Sequence, residues 1–232
     1  FFSAPRKVLA LSVALGIFMT LLLLLAQPVF YRDSVVYLAM VKGFQLGDWD
    51  AALNPHLPPL VPLLGGLFAL GGIDPKSALL LASACFFIAA IFPLYGVLKW
   101  FVTPKVAAWG CLFYILTPKL IRYGLAPMTD GGRWFGLIWM LYCVFAVSRK
   151  FTVWRAVMLG AAFAVLALVR AEGLVLGIIL LGVLGLLLLH DHNWRVSWRL
   201  CGRAAAIGGI ALITMFVLIL PRLVQVRNAA GY

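Results

Sequence analysis

Residues 156–189 read AVMLGAAFAVLALVRAEGLVLGIILLGVLGLLLL, an apolar run broken only at Arg170-Ala171-Glu172-Gly173. As a single helix its 34 residues would rise about 51 Å, well beyond a hydrocarbon core of about 30 Å. The run is therefore a hairpin of two helices, 156–170 and 173–190, with its charges at the turn. A chain that folds this way belongs in lipid, where each spanning helix satisfies its own backbone hydrogen bonds.

The rest of the sequence agrees. Of 232 residues, 65% are hydrophobic and only 11% charged, a balance no soluble core absorbs. The net charge of +12 sits in short basic runs between apolar segments, the pattern of topology anchors, and nucleic acid is excluded as a partner. Residues 8–26 carry no charge, and the long apolar run after Arg6 and Lys7 reads as a first span, not as a signal peptide. The expected fold is all-α: one polytopic transmembrane helical bundle over 1–232. Its spans fall near 8–30, 78–98, 106–121, 131–147, 156–170, 173–190 and 204–221. The run 59–73 contains Pro62 and four glycines (Gly65, Gly66, Gly71, Gly72) and would cover only about 22 Å. It is expected to join 34–46 as a juxtamembrane helix of the first outer loop.

Charge sets the orientation. With seven crossings, the inner side carries a net charge of +9 and the outer side +3; an eighth crossing at 59–73 would turn the basic runs KWFVTPK, SRKFTVWR and NWRVSWRLCGR outward. The four cysteines form no CxxC pair, and those within apolar runs read as small buried side chains. The chain opens on Phe1 and stops at Tyr232 just after an apolar segment, so it is expected to be truncated at the C-terminus.

Seven spans bring three polar elements to one side: the first loop with Asp33, Tyr37 and His56; the loop with Lys119, Arg122 and Asp130; and the hairpin tip with Arg170 and Glu172. Ionisable groups at membrane depth are costly and tend to line a wet cavity. Each also has a plainer reading. Asp33 can cap the helix 34–46, whose polar positions Ser34, Tyr37, Lys42 and Gln45 share a narrow face, as in an interfacial segment. Thr129 and Asp130 stand where a cap is expected, Arg170 and Glu172 can form a structural pair at a turn, and Lys119 and Arg122 can anchor the interface.

RDSVVYLAMVKGFQLGDW (32–49), NPHLPPLVPLL (54–64), LTPKLIRYGLAPMTDGG (116–132) and ALVRAEGLVL (167–176), in this order, resemble the C-type glycosyltransferase superfamily. The likeness is greatest to its group of protein O-mannosyltransferases and the lipid A aminoarabinose transferase. The resemblance implies juxtamembrane helices in the first outer loop. It also implies sugar transfer from a polyprenyl-phosphate carrier to an acceptor hydroxyl at the outer, periplasmic face of a bacterial inner membrane. Asp33 matches the family's first-loop acid, assigned to acceptor activation; Asp130 matches its second outer-loop acid, and Arg170 the arginine of its R-x-E-G pattern. Relatives often have two adjacent acids where Asp33 precedes Ser34, so a divalent metal is unsupported and no cofactor is assigned. Relatives also usually run longer.

The residue types suit that chemistry. Departure of a sugar develops charge on the lipid phosphate, which arginine, lysine or histidine can meet; Arg170, Arg122, Lys119 and His56 are the candidates, with Glu172 and Tyr37 in support. The partners expected are the polyprenyl-phosphate-linked sugar and membrane lipid, with protein subunits left open. A noncatalytic subunit of the same fold, a scaffold in a larger complex, is the alternative. A transporter would show an internal repeat with broken helices in both halves, which this sequence lacks.

Overall fold

The computed structural model describes residues 5–26, 31–54 and 57–191, together with 202, 205–210, 212–214 and 216. Among the described residues every regular element is a helix. Four helices are long and apolar enough to cross a membrane: Pro5–Ala26, Pro75–Leu98, Asp130–Arg149 and Glu172–His190. These are the helices of an integral membrane protein. The expected spans at 106–121 and 156–170 correspond to the shorter helices Pro104–Leu116 and Val153–Val169. Of the expected span 204–221, residues 205–210, 212–214 and 216 are helical, and the others lie outside the described residues.

The hairpin forms where its length requires. Helix α10 (Val153–Val169) ends and α11 (Glu172–Asp191) begins around Arg170 and Ala171. Gly173 lies so close to the Leu166 carbonyl that a Cβ would collide with it, so only glycine lets α11 start there. α9 (Asp130–Arg149) packs along α10 and α11 around Met140, Val144, Leu159, Phe163, Leu166 and Leu184. At the far end Arg155 Nη1 donates to the carbonyls of Ala146 (2.8 Å) and Lys150 (3.0 Å), closing the turn between α9 and α10. Basic groups at a helix C-terminus also oppose its negative dipole end.

α1 (Pro5–Ala26) packs on α7 (Pro104–Leu116) and α5 (Pro75–Ala89). α5 runs into α6 (Ile91–Leu98) with a single break at Ala90. The proposed single segment 106–121 is instead two helices, α7 and α8 (Pro118–Gly124), divided at Thr117. Pro118 is the reason: it cannot donate to the preceding turn, and its ring pushes Thr117 into extended backbone (φ −69°, ψ 115°).

The first loop folds as a helical layer over α5. It comprises α2 (Arg32–Leu46), the short α3 (Trp49–Ala52) and α4 (Leu60–Leu70), joined through Tyr37, Met40, Val41, Val61 and Leu79. α4 has 11 residues, about 16 Å, and is too short to cross. The polar face expected on α2 is corrected here. Ser34 and Tyr37 turn inward while Lys42 and Gln45 stay exposed, and Val35 (59% exposed), Val36 and Leu46 (81%) also face out. Packing against α4 and α5, rather than the wetting of a polar stripe, sets the rotation of this helix.

Candidate active site

Three helix ends meet at one place. Gly131, the second residue of α9, stands so close to α5 and α8 that a Cβ would sit 2.6 Å from the Gly124 carbonyl oxygen and 2.7 Å from that of Ser83. The loop before it is tied down by the Ser83 hydroxyl, which donates to the Met128 carbonyl at 2.7 Å. Asp130 is thereby fixed at the N-terminal end of α9, where the helix dipole favours a carboxylate. The break between α10 and α11 puts Arg170 and Glu172 beside it.

Arg170 Nη1 donates to Asp130 Oδ1 at 3.2 Å, and its Nε lies 3.4 Å from Glu172 Oε2. Arg133 Nη2 reaches the same Glu172 oxygen at 3.7 Å. The Asp130 side chain is only 16% exposed and Glu172 58%, so the network runs from a half-buried acid outward to solvent. The inner pair is the stronger, because screening by water weakens the outer contacts.

Asp33 enters from α2. Its cavity, of about 520 Å³, is lined by Asp33, Tyr37, Leu57, Pro58, Tyr123, Thr129, Asp130, Arg133, Trp134, Arg170 and Glu172, among others. Asp33 is not the cap of α2: that position is Tyr31, whose N–H donates to the Ser34 hydroxyl at 3.2 Å. Among the described residues, no hydrogen bond or ion pair engages the exposed Asp33 carboxylate. Thr129 makes no side-chain cap on α9 either; it hydrogen-bonds Tyr37. Burial holds the Tyr37 phenol above its ordinary value of 10.0; the charges of Asp33 and Asp130 add to this, while the Thr129 bond and Arg170 oppose it.

Five of the residues singled out in the sequence, Asp33, Tyr37, Asp130, Arg170 and Glu172, thus line one cavity. Lys119 and Arg122 do not. Arg122 turns to the other side of α8, where its Nε donates to the Tyr31 hydroxyl at 3.2 Å over a pocket of about 270 Å³ between Leu23, Leu80 and Ile121. Neighbouring helical residues diverge by about 100°, so Tyr123 faces the main cavity while Arg122 leaves it. Lys119, exposed, lies one turn before Tyr123. His56 lies outside the described residues.

Sequence reasoning missed Arg133 and Trp134. The signal for Arg133 is its spacing: three residues past Asp130, it shares the face of the helix on which Asp130 lies. Among the described residues no group of three His, Cys, Asp or Glu side chains is placed to hold a metal ion.

The arrangement offers a carboxylate, unengaged among the described residues, facing two guanidinium groups across a partly apolar cavity. Chemically, that is a proton acceptor opposite an anion site. No family model, curated protein or solved structure matches the chain, so its likeness to a family rests on the motifs themselves.

Proposed function

We propose that this chain is a membrane glycosyltransferase that moves a sugar from a polyprenyl-phosphate carrier to an acceptor hydroxyl. One observation carries the reading: Asp33, Asp130 and Arg170, drawn from three separated loops, line a single cavity at one end of the helices. The acceptor hydroxyl attacks the anomeric carbon as the bond from that carbon to the phosphate oxygen breaks. Asp33 takes the hydroxyl proton, and the lipid phosphate leaves with the electron pair. Arg170, assisted by Arg133, meets the charge developing on the phosphate. Asp130 holds the Arg170 fork in position. Direct attack inverts the anomeric centre.

The topology belongs to the same proposal. Seven crossings, with α7 and α8 acting as one, carry the three loops to the outer side and leave +9 on the inner. In a bacterial inner membrane the cavity then faces the periplasm. Reconstituted protein given radiolabelled polyprenyl-phosphate sugars and membrane extract should label an acceptor in the extract.

A second reading, a noncatalytic scaffold of the same fold, is favoured by the engagement of Arg170 with both Asp130 and Glu172, a network complete without a ligand. Wild-type protein that transfers nothing from any lipid-linked donor, while co-purifying with other subunits, supports the scaffold.

A further inference from the structure

A second large groove, again about 520 Å³, lies between α6 and α9, along Phe135, Trp139 and Tyr142 of α9. Phe92, Pro93, Gly96, Trp139 and Tyr142 line it. Gly96 is what admits Tyr142, since a Cβ there would meet the tyrosine ring at 2.5 Å. Along the α5–α6 segment the groove extends from Ala89 to Lys99, a rise of about 15 Å, or half of a hydrocarbon core of about 30 Å. Its length is therefore that of one leaflet.

Only one end is charged. Lys99 Nζ sits 5.1 Å over the Tyr95 ring at the mouth. Trp100 stacks on Tyr142, with centroids 5.1 Å apart and planes at 11°, and the Arg149 guanidinium lies 5.5 Å over Trp100. Among the described residues neither base has a carboxylate partner. Two exposed cations without acids, beneath an aromatic, apolar slot one leaflet long, complement a ligand with an anionic head and a single-leaflet tail.

We propose that the groove between α6 and α9 holds one acyl chain of an acidic glycerophospholipid whose phosphate meets Lys99 and Arg149. The slot gives the acyl chain shape-matched contact that fluid neighbours lack, and the aromatic rings sit at headgroup level, as in interfacial belts. Each base adds electrostatic preference for an anionic headgroup.

Native mass spectrometry of the full chain in detergent, with phosphatidylglycerol and phosphatidylcholine supplied in equal amounts, tests the assignment. Wild type should retain phosphatidylglycerol in clear excess. K99Q and R149Q should each reduce that excess about fivefold. K99R and K42Q, the latter an exposed base on α2, should keep it. Both groove bases are exposed, and a melting scan of each variant in the same detergent confirms that it is folded. Equal retention of the two lipids by wild type, an excess that survives both glutamine variants, or equal losses in K99R and K99Q would overturn the proposal.

Discussion

Arg170 Nη1 lies 3.2 Å from Asp130 Oδ1, joining the turn of the α10–α11 hairpin to the first residue of α9, 40 positions earlier. The contact does two things: it locks the open ends of three helices together, and it aims a guanidinium at the cavity in which Asp33 stands. Removing the arginine tests both roles. R170A takes from Asp130, at 16% exposure, the base paired with it and should destabilise the fold by about 1–3 kcal/mol, between the values for surface and buried pairs. Donor affinity, read by titrating lipid-linked sugar, should fall as well. R170K should recover most of the stability but less of the affinity, because an ammonium lacks the planar fork.

Packing at Gly131 sets the position of Asp130. G131A drives a methyl against two backbone oxygens, those of Gly124 and Ser83, and neither can swing aside as a side chain would. Thermal unfolding in detergent should show a loss of about 1–3 kcal/mol, the usual range for overpacking. Activity should fall with it, since Asp130 moves with the helix end. G182A, where a Cβ meets nothing, is the control and should unfold as wild type.

Tyr37 supplies a pH test. Its phenol is held above 10.0 chiefly by burial, so the folded state binds the proton more tightly than the unfolded state does. The associated stability is fully present below pH 10.0 and is lost as pH rises through the raised value. An ultraviolet difference titration of wild type against Y37F should therefore show one tyrosine ionising above 10.0. Ionisation at the ordinary value would place the ring in water.

Orientation is tested by labelling. Single cysteines replacing Val102 and Val153, both exposed beside helix starts, should be shielded from a membrane-impermeant thiol reagent in intact cells. One replacing the exposed Asp50 should react. Thr103 and Thr152 are unsuitable sites, because their hydroxyls cap α7 and α10. Labelling at positions 102 and 153 but not at 50 would reverse the proposed sidedness.

Run length made the hairpin legible: no single helix fits residues 156–189 into a bilayer, and the break at Arg170 and Ala171 falls where the charges interrupt the run. The meeting of Asp33, Asp130 and Arg170 in one cavity was legible too, since the seven spans expected from the sequence put their loops on one side. Contacts set by tertiary packing were not. The rotation of α2, which buries Tyr37 and exposes Val35, comes from α4 and α5 rather than from the helix's own pattern. Arg122 carried the right charge in the right loop, yet its position on α8 points it at Tyr31. Arg133 was hidden because its spacing from Asp130 has meaning only once α9 is known to begin at Asp130.

Transfer by D33N, compared with wild type, bears most directly on the account. Asp33 lies in the first turn of α2 without capping it, so asparagine should cost only the loss of a charge near the helix N-terminus, about 0.3–1 kcal/mol. It keeps the shape of aspartate but cannot accept the acceptor's proton. With protein shown to be folded and to bind the lipid-linked donor as wild type does, the measurement is the rate of sugar transfer from radiolabelled polyprenyl-phosphate sugar. The account predicts a fall of about 10²–10⁴-fold, the usual contribution of a general base, with donor affinity unchanged. Transfer by D33N at the wild-type rate would contradict it.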